Sequence, residues 1–311
     1  MYKVFIDGRE GTTGLRIFDR IKERDDITPI ILSEENRKDP SARRAAINES
    51  DITILCLPDA ASVESVSLCD NDKTVIIDAS TAHRTDPCWT YGFPEIYGKS
   101  GYDKIARAKR IAVPGCHASG FIALIKPLVD RGIVSADAEL VCNSLTGYSG
   151  GGKKMIAQYE ADEVDELLCA PRVYGITQNH KHLKEMKHIC SLNDMPLFTP
   201  IVSDFYSGML VTVCLSKKSI NGSIDDIKKA YSELYNTDIV KYVESIDQEG
   251  FISAAGISGY DNMLVSVCGN EDRIMLCALY DNLGKGASGA AVECLNLVTG
   301  KPTDYCLNLS K

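Results

Sequence analysis

Long apolar runs are missing from this sequence of 311 residues, and no stretch approaches the roughly 18 apolar residues that a membrane-spanning helix requires. The first residues, Met1–Gly8, enter a strand-like pattern and reach an acid at Asp7, which is typical of neither a secretory signal nor a transit peptide. Basic clusters are also missing, and the net charge is −9. We therefore expect neither a membrane nor a nucleic acid as a partner.

Paired cysteines are missing as well, because none of the twelve cysteines stands in a C-x-x-C pattern. This excludes a zinc ribbon and a thioredoxin motif. Several of the twelve lie within apolar runs, where cysteine acts as a small hydrophobic side chain. Such usage predicts a reducing, cytoplasmic location, with the thiols inside the protein core.

The length predicts about two domains. Up to residue 115 predicted strands alternate with predicted helices, a pattern that indicates parallel βαβ units. From residue 116 onwards strands follow one another with fewer helices, which predicts an α+β domain with a mixed or antiparallel sheet. The small-residue-rich segment Gly286–Leu297 is predicted to form a further helix.

A glycine-rich turn separates the first predicted strand from the first predicted helix. Its glycines, Gly8, Gly11 and Gly14, are spaced G-x-x-G-x-x-G, one residue longer in the first interval than the commonest dinucleotide fingerprint. Glycine allows a tight turn and a close approach of pyrophosphate, and the helix N-terminus offers N–H donors. Thr12 and Thr13 add hydroxyl groups. We predict that this turn binds a dinucleotide.

The end of the second predicted strand indicates which dinucleotide. Ser33 can bond a 2′-phosphate, and Arg37 or Lys38 can balance its charge, whereas Glu34 and Glu35 favour the ribose hydroxyl of NAD. The balance favours NADP.

Cys116 differs from the other cysteines in its position. It lies in the segment Val113–Phe121, where the last strand of the first domain turns into a helix. A helix N-terminus stabilises a thiolate, and Gly115 leaves room for a substrate. We predict that Cys116 is a nucleophile.

A histidine pair offers a proton-transfer partner. If a helix begins within this segment, His180 and His182 point about 200° apart, so that only one of them faces the nucleophile. Glu185 stands three residues after His182 and favours it as the acid/base, with His180 as the alternate and as a substrate contact. Because Cys169 and Cys190 are the nearest cysteines and the carboxylate is single, no metal is expected.

Three other segments carry candidate binding residues. Arg84 follows a strand end, where parallel sheets bind ligands, and can clamp a phosphate or a carboxylate. The glycine-rich loop Gly147–Lys154 contains Ser149 and Lys153, which suit an anion. Asn282 lies in a second glycine-rich turn, which either approaches the cofactor or lets the last helix pack closely.

Taken together, the glycine loop, the Pro114-Gly115-Cys116 turn, the H-x-H-x-x-E segment and the Asn282–Gly289 turn resemble the shorter form of the N-acetyl-γ-glutamyl-phosphate reductase family. The resemblance implies a Rossmann-type NAD(P)-binding domain of residues 1–115 and about 285–311, with the last helix packing back on it. It also implies an α+β catalytic and oligomerisation domain of about 116–284.

The resemblance implies a reaction as well. An NADP-dependent reductase of arginine biosynthesis would convert an acyl phosphate to N-acetylglutamate semialdehyde through a thioester on Cys116, in a cytoplasmic homodimer or homotetramer. His182 and Arg84 match family positions for the acid/base and for substrate contact. His117 and its two successors depart from the Tyr-Pro-Thr of longer members, and Lys184 replaces a frequent proline.

Three alternatives remain open. An aspartate-semialdehyde dehydrogenase would use the same chemistry. A non-catalytic redox sensor would bind the dinucleotide without turnover. A structural protein would bind no dinucleotide.

Overall fold

The computed structural model describes residues 1–310, which divide into two compact units. The first unit comprises residues 1–115 and 287–307, and the second comprises residues 116–286 and 308–310. None of the helices formed by residues 1–310 has the length and apolar character to cross a membrane.

A six-stranded parallel sheet forms the centre of the first unit, in the order β2-β1-β3-β4-β6-β5. Every residue of Ile52–Leu55 is buried, which explains its continuous apolar run. The strands are β1 (Tyr2–Asp7), β2 (Ile27–Ile30), β3 (Ile52–Leu55), β4 (Val75–Asp78), β5 (Thr90–Tyr91) and β6 (Arg110–Ala112). The helices of the connections are α1 (Thr12–Ile21), α2 (Pro40–Glu49), α3 (Asp59–Ser67) and α4 (Lys99–Ala106).

The last helix completes the core of the first unit. This helix, α9 (Gly289–Thr299), places Ala291 and Leu295 in the same buried cluster as Ile54 of β3. A π-helical turn at Gly284–Ser288 precedes it, so the regular helix begins three residues later than predicted. The predicted return of the C-terminal helix to the first domain is confirmed.

The second unit is built on a seven-stranded mixed sheet, in the order β11-β12-β13-β10-β7-β9-β8. The pairs β7–β9 and β11–β12 are parallel, and the other pairs are antiparallel. The strands are β7 (Val141–Gly147), β8 (Arg172–Val173), β9 (Leu197–Ser203), β10 (Met209–Ser216), β11 (Val240–Tyr242), β12 (Met263–Gly269) and β13 (Arg273–Tyr280). The predicted mixed sheet is therefore confirmed.

Four helices belong to the second unit. The long helix α5 (Cys116–Asp130) is buried along almost its whole length and packs on β10 and β13. Next to it lie α7 (His182–Ile189) and α8 (Ile224–Leu234). The short helix α6 (Gly152–Tyr159) follows the glycine-rich loop after β7. This packing fixes the first turn of α5, where Cys116 lies.

Candidate active site

The predicted dinucleotide turn has the close backbone packing that only glycine permits. Gly8 has a φ of +86°, and a Cβ on it would lie 2.4 Å from the carbonyl oxygen of Cys56. A Cβ on Gly14 would lie 2.5 Å from the carbonyl oxygen of Gly8. Gly11 is the residue before α1 and donates its N–H to the Gly8 carbonyl at 3.0 Å. The helix therefore begins with the N–H groups of Thr12 and Thr13, as a pyrophosphate site requires.

A cavity of about 180 Å³ adjoins this turn. Gly8 and Arg9 line one part of it, and Leu32, Arg37 and Lys38 line another. Arg37 is solvent-exposed and paired with Glu34 at 2.5 Å. The glycine cradle and these cations fit a dinucleotide with an extra phosphate on its ribose.

The carboxyl ends of β4 and β6 carry a second group of polar side chains in the first unit. Asp78 is fully buried and lies 2.6 Å from Nδ1 of His83, which stacks on Trp89 at 4.1 Å. The neighbouring Arg84 is also buried, and its guanidinium donates to the carbonyl oxygens of Val113 at 2.9 Å and of Ala79 at 3.1 Å. Arg84 thus lies where the two strands end, and its role in substrate binding stays a prediction.

Cys116 is the first residue of α5 and is half-buried. The hydroxyl of Tyr280 donates to the Cys116 carbonyl at 2.6 Å and accepts from the N–H of Gly120 at 3.0 Å. A Cβ on Gly286 would lie 3.1 Å from Cβ of Cys116, so this glycine lets the backbone pass close to the thiol. The thiol therefore lies at the positive end of a helix whose first turn is firmly held.

Several other cysteines are buried and unreactive by comparison. Burial raises the pKa of Cys56 to about 12, and it raises the pKa of Cys142 and Cys190 still further. These thiols stay protonated near neutral pH and pack as small apolar groups.

His117, next to the nucleophile, is the centre of a histidine cluster. Its Nδ1 lies 2.7 Å from Oγ of Ser144, and its Nε2 lies 2.5 Å from Oη of Tyr174. Its ring centroid is 5.7 Å from that of His180 and 5.6 Å from that of His182. Burial, and secondarily the charge of His180, lowers the pKa of His117 to about 3. The ring is therefore neutral at physiological pH.

The two predicted histidines do not point in opposite directions. Their ring centroids are only 4.7 Å apart, so the expected separation of about 200° is wrong. The reason is that α7 begins at His182, which leaves His180 outside the helical periodicity. Which of the two rings faces Cys116 stays a prediction. Nδ1 of His180 accepts a hydrogen bond from the backbone N–H of His182 at 3.2 Å. Burial, and then the charge of Lys181, lowers the pKa of His180 to about 4.

In the loop after β7, Ser149 is hydrogen-bonded to Asn282. Both side chains are buried, and Nδ2 of Asn282 donates to Oγ of Ser149 at 3.0 Å. Oδ1 of Asn282 accepts from the N–H of Gly208 at 2.9 Å. Asn282 thus lies in the second unit and links the loop after β7 to the segment before β10. Lys153 is exposed in the first turn of α6. Substrate binding by Ser149 and Lys153 and cofactor binding by Asn282 stay predictions.

Sequence reasoning missed His117, Ser144, Tyr174 and Tyr280. The one available signal was the position of His117 directly after Cys116. The other three come from strands or loops far along the chain, and nothing in their local pattern marks them. Within residues 1–310 no group of three or more metal-ligating side chains has the arrangement of a metal site.

Comparison with known proteins places this geometry in a class. The NAD binding domain of semialdehyde dehydrogenase matches residues 14–102, and the semialdehyde dehydrogenase dimerisation domain matches residues 116–282. Aspartate semialdehyde dehydrogenase II of Vibrio cholerae, bound to ASA, superposes with a TM-score of 0.72 at 18% identity, covering 96% of this chain and 98% of that one. The enzyme of Francisella tularensis superposes with a TM-score of 0.71 at 16% identity, covering 96% and 100%. At these identities the likeness concerns the fold.

Fold and matched domains thus define an oxidoreductase of the semialdehyde dehydrogenase class. N-acetyl-gamma-glutamyl-phosphate reductase 2 of Nostoc sp. is 40% identical over 98% of this chain and 99% of its own length. N-acetyl-gamma-glutamyl-phosphate reductase of Brucella ovis is 43% identical over 96% and 99%. The chain belongs to the N-acetyl-γ-glutamyl-phosphate reductase family, which confirms the resemblance, the fold class and the NAD(P)-binding domain.

Proposed function

We propose that this chain reduces N-acetyl-γ-glutamyl phosphate to N-acetylglutamate semialdehyde and phosphate with NADPH, a step of arginine biosynthesis. The observation that carries the proposal is the family membership over nearly the whole chain, together with a cysteine at the start of α5 beside a histidine cluster. When bound, NADPH would supply the hydride that this reduction requires.

Cys116 is the proposed nucleophile. Its thiolate, stabilised by the N-terminus of α5, attacks the acyl carbon and expels inorganic phosphate, which leaves a thioester on the sulfur. Reduction of the thioester gives a thiohemiacetal, and its collapse releases the aldehyde and restores the thiol. Backbone N–H groups of the first turn of α5 suit the oxyanion that forms at the acyl carbon.

His182 is the proposed acid/base at the thiohemiacetal oxygen, and His180 is a proposed substrate contact. The low pKa of His180, about 4, keeps its ring neutral at pH 7, and its Nδ1 is engaged by the backbone of His182. Both features favour His182 as the residue that exchanges protons. The buried Glu185 in the same turn of α7 suits the orientation of the His182 ring.

Charged and polar side chains supply the remaining contacts in this proposal. Arg84 and Lys153 would bind the phosphate and carboxylate groups of the substrate, with Ser149 as a further contact. NADPH would lie on Gly8, Gly11, Thr12, Thr13 and Gly14, with Ser33 and Arg37 at its 2′-phosphate and Asn282 as an additional contact. The cations lining the cavity beside Gly8 support the choice of NADP.

The match to a dimerisation domain supports an oligomer, which we propose to be a homodimer or a homotetramer. No cysteine of residues 1–310 forms a disulfide, which supports a reducing cytoplasm as the site of the reaction.

Phosphate-dependent reduction of NADP with N-acetylglutamate semialdehyde tests the function. We expect turnover that Cys116→Ser lowers by roughly 10³-fold or more. Cys169→Ser, which changes an exposed cysteine of the same unit, is the matched control and should behave as wild type. Full turnover by Cys116→Ser would refute the covalent route. Preferential turnover of aspartate semialdehyde would instead identify the chain as an enzyme for that substrate.

A further inference from the structure

Two hydrogen bonds join Ser144, His117 and Tyr174 in a row. Burial determines which group donates and which accepts in each of them. Ser144 is fully buried on β7, and among the residues that the structure describes its hydroxyl has one hydrogen-bond partner, Nδ1 of His117. Tyr174 follows the edge strand β8 and is only partly buried, and its hydroxyl meets Nε2 of His117. The imidazole therefore stands between an enclosed hydroxyl and a more accessible one.

A neutral imidazole has one N–H donor and one acceptor nitrogen, so only two arrangements are available. If Tyr174 donated to Nε2, then Nδ1–H would donate to Ser144, and the Ser144 proton would be enclosed without an acceptor. If Ser144 donates to Nδ1, then Nε2–H donates to Oη of Tyr174, and the Ser144 and His117 protons both have an acceptor. Because a buried unsatisfied donor costs free energy, the second arrangement is favoured.

In the favoured arrangement the hydroxyl of Tyr174 accepts from His117 and keeps its own proton for another acceptor. Tyr174 is held in place by its backbone, since its N–H donates to the carbonyl of Pro200 at 3.0 Å, and Pro200 is paired with Ser144 in the register of β7 and β9. The three side chains thus belong to one row across the sheet, and α5 places His117 against that row. Burial, and then the charge of Cys116, raises the pKa of Tyr174, which keeps the phenol protonated near the nucleophile.

We propose that Tyr174 donates its hydroxyl proton in a hydrogen bond to an oxygen of the acyl substrate, and that His117 and Ser144 are positioning residues that fix the direction of this bond. The proposal rests on the proposed function, because that function supplies the acyl substrate. In this arrangement His117 transfers no proton during turnover. Its neutral ring holds the phenol oxygen and leaves the phenol proton facing outward.

A double-mutant cycle on the reductase tests the coupling. Tyr174→Phe should lower kcat/KM by roughly 10- to 100-fold, as for loss of one hydrogen bond to a group that becomes charged. Ser144→Ala should lower kcat/KM by a smaller factor, and the double variant should be no worse than Tyr174→Phe alone. Tyr235→Phe, which removes a buried hydroxyl bonded to the carbonyl of Ala123, is the matched control and should lower thermal stability only.

Two kinetic outcomes would overturn the proposal. One is a kcat/KM for Tyr174→Phe within twofold of wild type. The other is a Ser144→Ala loss that persists undiminished in the Tyr174→Phe background, since a merely structural serine would act independently of the phenol.

A spectroscopic readout separates this proposal from the proposed function. Two-bond proton–nitrogen correlation spectra of ¹⁵N-histidine-labelled protein distinguish the two neutral tautomers, and His117→Gln identifies the signal. We expect His117 to be neutral with the proton on Nε2 between pH 5.5 and 8. A proton on Nδ1 would overturn the proposal even in an active enzyme. Failure of the chain to turn over the acyl phosphate would refute the function and leave the tautomer to be decided by the spectrum.

Discussion

The hydroxyl of Tyr280 bridges the first turn of α5, because it donates to the carbonyl of Cys116 and accepts from the N–H of Gly120. The close approach of the Tyr280 hydroxyl to α5 depends on glycine. A Cβ on Gly120 would lie 2.7 Å from this hydroxyl and 2.6 Å from Cγ2 of Val211. Tyr280 is fully buried at the end of β13, and burial raises its pKa well above the usual value. A neutral phenol therefore holds the backbone of the proposed nucleophile in place.

Replacing this phenol should separate activity from stability. We expect Tyr280→Phe to lower the free energy of unfolding by about 1–3 kcal/mol, because it leaves buried backbone groups with one partner fewer. We also expect a selective loss of kcat, because the turn that carries Cys116 is less firmly held. Urea unfolding and steady-state kinetics measure the two effects.

The matched control is again Tyr235→Phe, since Tyr235 also donates to a carbonyl of α5, at Ala123, but away from the thiol. A similar loss of stability with normal kcat is expected there. Equal losses of kcat in the two variants would show that the effect comes from general destabilisation.

Arg37 should set the cofactor preference. It lines the cavity beside Gly8 and is exposed, so a 2′-phosphate can replace its present partner, Glu34. We expect Arg37→Ala to lower kcat/KM with NADPH by about tenfold and to leave kcat/KM with NADH nearly unchanged.

The control for this prediction is Arg44→Ala, because Arg44 is an exposed arginine of the same unit paired with Asp70. It should alter neither value. Parallel losses with both cofactors in Arg37→Ala would argue against a contact to the 2′-phosphate.

The buried His117 should make the fold sensitive to acid. Its pKa is lowered from 6.5 to about 3, so between these values the unfolded chain binds a proton that the folded chain excludes. The free energy of unfolding must therefore decrease as the pH falls below about 6.5, by at most ~1.4 kcal/mol per pH unit from this group. This contribution is complete above pH 6.5 and is lost as the pH approaches 3.

Urea unfolding between pH 7.5 and 4.5 measures this dependence. His117→Gln, which cannot take up the proton, should show a shallower decline than wild type. His188→Gln changes an exposed histidine and should leave the decline unaltered. An identical pH dependence in His117→Gln and wild type would contradict the assignment.

Asn282 should contribute more to stability than its position in a loop implies. Its side chain satisfies the N–H of Gly208 and the hydroxyl of Ser149 inside the protein. We expect Asn282→Ala to lower the free energy of unfolding by about 1–3 kcal/mol in urea titrations. Asn193→Ala, at an exposed asparagine bonded to Asp137, should change it by no more than about 0.5 kcal/mol.

The same variant, Asn282→Ala, also tests whether Asn282 contacts the cofactor. If Asn282 also contacts NADPH, the dissociation constant of the cofactor rises in Asn282→Ala at temperatures where the protein is fully folded. An unchanged dissociation constant would limit Asn282 to its structural bonds.

Much of the fold was predictable because its signals are local. The run Ile52–Leu55 is apolar throughout, as a strand buried on both faces must be, and the glycines around Gly11 mark a βα turn. The two-residue strand β5 has no such signal, because it is defined only by its pairing with the neighbouring strand β6. Likewise α6 begins at Gly152 in a glycine-rich segment, which reads as a loop.

The proposed nucleophile could be singled out for the same reason, since a strand–turn–helix context is visible in sequence. The surroundings of His117 could not, because its two hydrogen-bond partners lie 27 and 57 residues away. The relative direction of His180 and His182 depended on the residue at which α7 begins. Because α7 begins at His182, His180 lies outside the helix and both rings lie in the same cluster.

The place of α9 in the first core has a consequence for synthesis on the ribosome. Chains grow from the N-terminus, and a contiguous domain can fold while later residues are still being added. Here the strands around Ile54 are made before residues 116–286 of the second unit, whereas Ala291 and Leu295, which pack against the same cluster, are made after them. The core of the first unit can therefore be completed only after the sheet of the second unit has been synthesised.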